Sequence, residues 1–403
     1  MKSEVSHMNN RIHVGAWNAV NEYKTTEPDF KEIAKSGMDF IIMTYTRDDK
    51  AIENLAWAEK YNVKCLIWDG EINDANNLTK EKVLEIAKPY SSSPSFAGFA
   101  ICDEPGMSQY DHLAQVAKAC YEAYPEKEVH INLLPMYAAP FVFGEMDFDE
   151  YLESFAQKID KMPISTDTYQ FLIDENKIKS TYPDYLLALD KQAYYCRKYN
   201  RDFWLYIQSM PFLPNRCPDL PDLRFQTYSG LCFGMKALLH FCYHITVGTP
   251  PDVDFPYAAI RSNGTKSELW DYERTLNNEL LAISEEYLQY RNIGAYTFEG
   301  ETVPDYLYFD NIYTDDTVIT NIESNESLLI GVFDKIEGNG RAYVVTNMSE
   351  LQNPKWAEVS LEIPSAKKVS AYIKGVKTVI EPVMGNQYQF TLTEGEGVFI
   401  IVE

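Results

Sequence analysis

The chain has 403 residues, 45% hydrophobic and 24% charged, with 36 basic against 60 acidic side chains and a net charge of −24. That length gives a prior of about two domains with a sizeable core that needs no disulfide or metal to hold it, and the composition excludes a mainly disordered chain. The surplus of carboxylates repels phosphate backbones and anionic lipid, which argues against nucleic acid and membrane surfaces as partners.

Short apolar runs alternate with longer amphipathic ones through the first 290 residues. The strand-like runs are Ile12–Trp17, Phe40–Thr46, Val63–Asp69, Phe96–Cys102, Val129–Leu134, Ile164–Phe171, Phe203–Met210 and Ala237–His244. Most are continuously hydrophobic, as parallel strands buried on both faces require. Between them, helices are predicted with recognisable punctuation. Pro28 opens the first and Gly37 closes it, and Ser108 with Asp111 has capping-box spacing. Further helices are predicted near 50–62, 79–88, 149–160, 183–199, 222–234 and 267–290. Eight strand–helix units predict an α/β fold of the (β/α)8 TIM-barrel type over residues 1–295. The alternative, an open doubly wound sheet, rarely holds eight units, and no GxGxxG follows the first strand.

After Tyr296 the pattern changes to short alternating runs: Tyr306–Phe309, Val318–Ile322, Leu328–Phe333, Ala342–Asn347, Ala357–Ile363, Val369–Ile373, Val376–Glu381 and Gln387–Thr391. Turn signals such as Glu337-Gly338-Asn339-Gly340 separate them. This predicts a C-terminal all-β sandwich over residues 296–403, packed firmly on the barrel because the linker is short.

No run approaches 18 apolar residues, and the first ten, MKSEVSHMNN, lack the apolar segment of a signal peptide. This favours the cytoplasm over secretion after removal of a signal not present in this chain. The seven cysteines show no CxxC or other paired spacing, and Cys65, Cys102, Cys232 and Cys242 sit in apolar runs, as reduced buried thiols do. No HExxH, HxH, Gly-x-Ser-x-Gly or P-loop occurs, and His240 and His244 lie on a predicted strand rather than one helix face. No metal or other cofactor is expected.

In a barrel of this kind the chemistry sits at the C-terminal strand ends. Read in order, these ends carry Trp17, Tyr45, Trp68 with Asp69, Asp103 with Glu104, Asn132, Asp167 with Tyr169, Gln208 with Ser209, and Tyr243 with His244. Acids, amides and rings converge on one rim. Glu104 is the sharpest signal. It ends the fourth strand in Phe99-Ala100-Ile101-Cys102-Asp103-Glu104-Pro105-Gly106. A carboxyl at the edge of an apolar core beside a second carboxylate has a raised pKa and can donate a proton. The alternative is that the pair caps the next helix or binds Arg47.

With Asp103-Glu104-Pro105 at strand four, the chain resembles the clan A (β/α)8 glycoside hydrolases, in particular family 42-like barrels and their uncharacterised relatives. The resemblance implies a glycosidase that cleaves O-glycosidic bonds of an oligo- or polysaccharide with paired carboxylates, Glu104 being the proton donor. Asp stands where the clan has Asn, and Gln208 stands where it has its strand-seven nucleophilic Glu. Asp167 is then the expected second catalytic carboxylate, with Asp69 next. Adjacent Asp-Glu pairs are also similar to those of substrate-assisted hexosaminidases, in which the Asp steadies a substrate acetamido group. Asp103, Trp17, Tyr45, Trp68, Asp69, Tyr169, Gln208 and Tyr243 are the expected contacts to the carbohydrate substrate. The rival is a non-catalytic carbohydrate-binding or structural protein on a hydrolase-like barrel. Sugar identity, anomer and oligomeric state are not legible.

Overall fold

A computed structural model describes residues 11–20, 25–43, 49–144, 146–173, 179–245 and 256–403. Six strands alternate with helices up to residue 167: β1 (His13–Ala16), α1 (Glu27–Lys35), β2 (Phe40–Met43), α2 (Asp49–Lys60), β3 (Lys64–Ile67), α3 (Gly70–Asn73), α4 (Lys80–Ala87), β4 (Phe96–Asp103), α5 (Tyr110–Ala123), β5 (Glu128–Asn132), α6 (Phe148–Lys158) and β6 (Ile164–Asp167). A hairpin of β7 (Phe171–Ile173) and β8 (Lys179–Thr181) precedes α7 (Tyr185–Tyr199), β9 (Phe203–Gln208), α8 (Leu220–Cys232), β10 (Met235–Phe241) and α9 (Glu268–Tyr287). No helix among the described residues is long and apolar enough to cross a membrane.

The eight predicted parallel strands are present, in two four-stranded parallel sheets ordered β2-β3-β4-β5 and β1-β10-β9-β6. Backbone bonds connect the sheets at both seams: Asp39 N donates to Val14 O (2.9 Å) and Leu133 N to Ser165 O (2.8 Å). The strands therefore enclose one interior, where Phe40, Ile42, Leu66 and Ala100 of the first sheet meet Trp204, Tyr206 and Leu239 of the second. Residues of opposite parity, such as Val14, Ile41, Cys65, Ile67, Leu205 and Leu238, pack outward on the helices. Both faces of most strands are thus apolar, which explains the continuous runs in the sequence, while β5 and β6 carry polar residues inward. Gly98 has φ +151°, and a Cβ there would lie 1.9 Å from Glu128 O, so only glycine lets β4 approach β5.

The helix starts are mostly as predicted. Pro28 lies in the first turn of α1, behind the Thr26 N-cap. At α5 the expected Ser108–Asp111 box is not the cap. Gln109 Oε1 accepts from Gly106 N (2.9 Å) across a short 3-10 turn, and Asp111 pairs with Lys158. Helix α8 is buried on every side from Asp222 to Cys232, which marks it as an internal element.

The remaining strands are β11 (Tyr290–Phe298), β12 (Asn321–Ser324), β13 (Leu328–Lys335), β14 (Arg341–Asn347), β15 (Ala357–Glu362), β16 (Val369–Ile373), β17 (Val376–Ile380), β18 (Gln387–Leu392) and β19 (Gly397–Val402). They form an antiparallel six-stranded sheet, β11-β13-β14-β19-β16-β17, and a three-stranded one, β12-β15-β18. The two sheets share a core of Leu328, Ile330, Tyr343, Val345, Val359, Leu361, Val398 and Ile400. The other face of the large sheet, with Leu329, Phe333, Val344, Phe399 and Ile401, joins the core around α8 and α9. The boundary expected at 295/296 falls inside β11, which follows α9 directly, and the run Tyr306–Phe309 is irregular rather than a strand.

Candidate active site

The site begins with a fault in β4. Against β5, Ala100 pairs with His130, Cys102 with Ile131 and Asp103 with Asn132, so Ile101 and Cys102 together oppose one residue. This bulge resets the alternation. Ala100 faces the interior and Cys102 packs outward, while Asp103 turns inward beside Asn132. Glu104 follows with φ +48°, a left-handed conformation that costs a non-glycine residue about 1–3 kcal/mol and commonly marks functional positions. Its amide is fixed to Asn132 O (2.8 Å). Tyr151 OH donates to Pro105 O (2.7 Å) and accepts from Leu134 N (3.1 Å), clamping the chain just beyond both strands.

Asn132 is the hub. Its Nδ2 donates to Asp103 Oδ1 (3.4 Å), and its Oδ1 accepts from Ser165 Oγ (3.2 Å). Ser165 and Asp167 on β6 and Tyr169 just beyond it share one parity, as the spacing predicts. Asp167 is 6% exposed, its Oδ1 is buried with no hydrogen-bond partner among the described residues, and Glu104, Asp103, Asn132 and Tyr169 lie within electrostatic reach of its carboxyl. Below them Tyr206 OH meets His130 Nε2 (3.2 Å), and the His130 ring stacks on Trp204 at 5.2 Å. Burial pushes the His130 pKa down to about 3, so the imidazole is neutral.

All three carboxyls are harder to ionise than ordinary ones. Asp103 and Glu104 present surface to water, yet crowding by the rim displaces enough solvent to disfavour their charge. Glu104 is raised by this desolvation, opposed by the nearby Asp167 carboxyl. Asp103 is raised to about 6 by desolvation and then by the Glu104 charge. Asp167 lies well above the ordinary range, through desolvation and then the charges of Glu104 and Asp103.

Raised folded-state values fix the sign of the pH dependence. The stability these groups contribute is complete below about pH 4 and declines as pH rises through about 6, where Asp103 ionises. Carboxyl NMR is expected to give an Asp103 midpoint near 6, lowered in Glu104→Gln because one raising charge is gone. A midpoint in the ordinary carboxylate range would contradict this electrostatic picture.

Trp17 and Trp68 are half-buried and meet edge to face at 5.9 Å, with Trp17 also 6.5 Å from Tyr206. Tyr169 joins the group, packed on Phe212 and Phe241. Three expected contacts are not brought to it. Gln208 has interior parity but is fully buried. Its Nε2 donates to Arg216 O (2.6 Å), and its Oε1 accepts from Asn215 Nδ2 (3.1 Å), so it ties down the loop that covers it. Tyr243 lies under α9 and accepts from Trp270 Nε1 (3.0 Å). Asp69 is the buried N-cap of α3, accepting from Glu71 N (3.0 Å) and Tyr90 OH (2.9 Å). Tyr45 lies outside the described residues. Sequence reasoning passed over Tyr206, His130 and Tyr137. Tyr206 had the signal of sharing parity with Trp204, whereas Tyr137 sits in a loop with no pattern.

No family model matches the sequence, and neither does any curated protein. Solved structures do match in fold. A family 39 glycoside hydrolase from the gut symbiont Bacteroides cellulosilyticus has a TM-score of 0.51 at 11% identity, covering 99% of this chain and 82% of that one. A glycoside hydrolase family 5 structure from Bacteroides vulgatus has a TM-score of 0.54 at 10% identity, covering 97% and 89%. A further glycoside hydrolase has a TM-score of 0.53 at 12% identity, covering 97% and 92%. At such identities the likeness shows the fold alone, a mixed α/β architecture with parallel sheets whose solved neighbours are glycoside hydrolases.

Proposed function

We propose that the protein is a (β/α)8-barrel glycoside hydrolase with a C-terminal β-sandwich, cleaving an O-glycosidic bond of an oligo- or polysaccharide. One observation carries this reading: Glu104, in a left-handed turn at the end of the fourth parallel strand and beside Asp167, is a carboxyl held toward its protonated form by desolvation. General-acid help from such a group is worth about 10²–10⁴-fold.

The nucleophile follows from what the rim offers. The end of the seventh parallel strand holds the buried amide of Gln208, and Asp167 is in contact with Glu104 rather than across a sugar ring from it. Asp103, turned inward by the bulge, remains free to face substrate on its outer side. These facts favour substrate assistance over a second nucleophilic carboxylate. Glu104 gives its proton to the glycosidic oxygen as the C1–O bond breaks. The carbonyl oxygen of a 2-acetamido group attacks C1, while ionised Asp103 accepts from the acetamido N–H. Water then adds to C1 as the C1–O bond to the acetamido oxygen breaks and the acetamido group re-forms, and the water gives a proton to Glu104. Asp167 positions Glu104. Activity therefore depends on pH through the protonation of both Glu104 and Asp103, each held above its ordinary value.

Comparing 2-acetamido-2-deoxy glycosides with their 2-hydroxy counterparts tests this reading. Turnover of the former alone is expected. Equal turnover of both would remove the acetamido role and return the nucleophile to a carboxylate. Binding without turnover of either would favour a sugar-binding protein.

A further inference from the structure

Around the ring of strands, the carboxyls of β4 separate two aromatic arcs. Trp17 and Trp68 belong to β1 and β3, on one side. On the other side, the loops after β5 and β6 carry Tyr137, Phe141 and Tyr182, none of which has a role in the reading above.

The Tyr137 phenol lies near the Tyr169 backbone, two residues beyond Asp167, and within electrostatic reach of both Asp167 and Glu104. Its ring meets Tyr182 edge to face at 5.1 Å, yet remains 40% exposed. Phe141 is 71% exposed on a single 3-10 turn, Pro140–Phe143. That turn is not loosely held. Phe143 is buried against Phe148 and Tyr151, and Val142 O lies 3.0 Å from where a Gly106 Cβ would sit, just past Glu104. An anchored turn that offers its aromatic ring to water beside a proton donor loses apolar burial unless a ligand covers the ring.

We infer that Tyr137, Tyr182 and Phe141 form a stacking wall for a sugar on the leaving-group side of the scissile bond, which makes the substrate an oligosaccharide with a sugar aglycone. This rests on the glycosidase reading. The side follows from Glu104. A general acid lies toward the oxygen it protonates, and Glu104 is set on the β5–β6 side, its amide on Asn132 O of β5 (2.8 Å) and its carboxyl within reach of Asp167. The leaving group therefore departs on the Tyr137 side. The Trp17–Trp68 corner and Asp103 are left to the sugar that keeps C1. A sugar CH face covers an exposed ring and leaves its hydroxyls in water, which suits a shallow wall at the mouth.

The test compares kcat/KM of wild type and Phe141→Ala on an oligosaccharide and on the glycosyl fluoride of the same donor sugar. Fluoride fills no leaving-group subsite. Phe141 is exposed, so the variant is expected to melt as wild type does. The expected result is a loss of about tenfold on the oligosaccharide, carried by KM, with a much smaller loss on the fluoride. Equal losses on both substrates, or none on either, would overturn the wall. Should wild type hydrolyse neither, the glycosidase reading fails and the wall is judged by calorimetry with di- and trisaccharides of N-acetylglucosamine and N-acetylgalactosamine. Weaker binding by Phe141→Ala supports it. Unchanged binding, or no binding by wild type, overturns it.

Discussion

Glu104→Gln is expected to lower kcat on a glycoside with a poor leaving group by about 10²–10⁴-fold while leaving the fold intact. The amide keeps the shape and the backbone bond from residue 104 to Asn132 O is untouched, so the left-handed turn and the Asn132 hub persist. It cannot release a proton to the glycosidic oxygen. The loss is expected to shrink on activated aryl or fluoride leaving groups, which depart with little protonation. Wild-type kcat on an unactivated substrate would remove Glu104 from the chemistry. A matching collapse in melting temperature would make it a structural residue instead.

The second large effect concerns the sandwich. Truncation before β11 is expected to give a chain without a cooperative melt. Helix α8 is sealed on one side by β9 and β10 and on the other by β13, β14 and β19. Cys232 Sγ reaches Val344 O and Thr346 Oγ1 (both 3.3 Å), and Tyr287 packs on Phe333 (5.3 Å) and Phe399 (5.5 Å). Re-exposing several such side chains at about 1.5–3 kcal/mol each approaches the whole stability of a typical domain, about 5–15 kcal/mol. The buried Arg224–Glu279 pair would also be opened on the side facing the sandwich. A point variant checks the same contact. At Gly331 a Cβ would lie 2.2 Å from Cys232 O, a backbone atom with little freedom to yield, so Gly331→Ala is expected to cost about 1–3 kcal/mol. A soluble truncation with a sharp melt would contradict this account and make the β-domain an independent module.

The parallel strands were legible because both faces are buried, which leaves runs such as Phe203-Trp204-Leu205-Tyr206-Ile207 without polar interruption. The same property hid β19. Gly397-Val398-Phe399-Ile400-Ile401-Val402 packs on two cores at once and shows no alternation to read as a sandwich strand. Strand β11 was hidden by following α9 with only two residues between. At the site, Glu104 could be placed because it follows an apolar strand, and Asp167 because it ends the sixth strand of the repeat. What could not be read is where side chains point once a strand is irregular. The bulge at Ile101–Cys102 is invisible in composition, yet it decides that Asp103, not Cys102, faces Asn132. Asp69 and Tyr243 were misplaced for a related reason. A polar or aromatic residue just past a strand serves equally well as a helix cap or as packing beneath the next helix, and only tertiary contacts distinguish these from a rim position.

The most direct test of the central claim is the anomeric configuration of the first product. Hydrolysis of a 2-acetamido oligosaccharide, followed by proton NMR before mutarotation, reports how C1 was attacked. Attack by the acetamido oxygen, with Glu104 acting first as acid and then as base, predicts that the released sugar keeps the substrate configuration. Release of the inverted anomer would contradict the assignment of Asp103 and Glu104 and point to water activated directly by a carboxylate. No release at all would contradict the glycosidase itself.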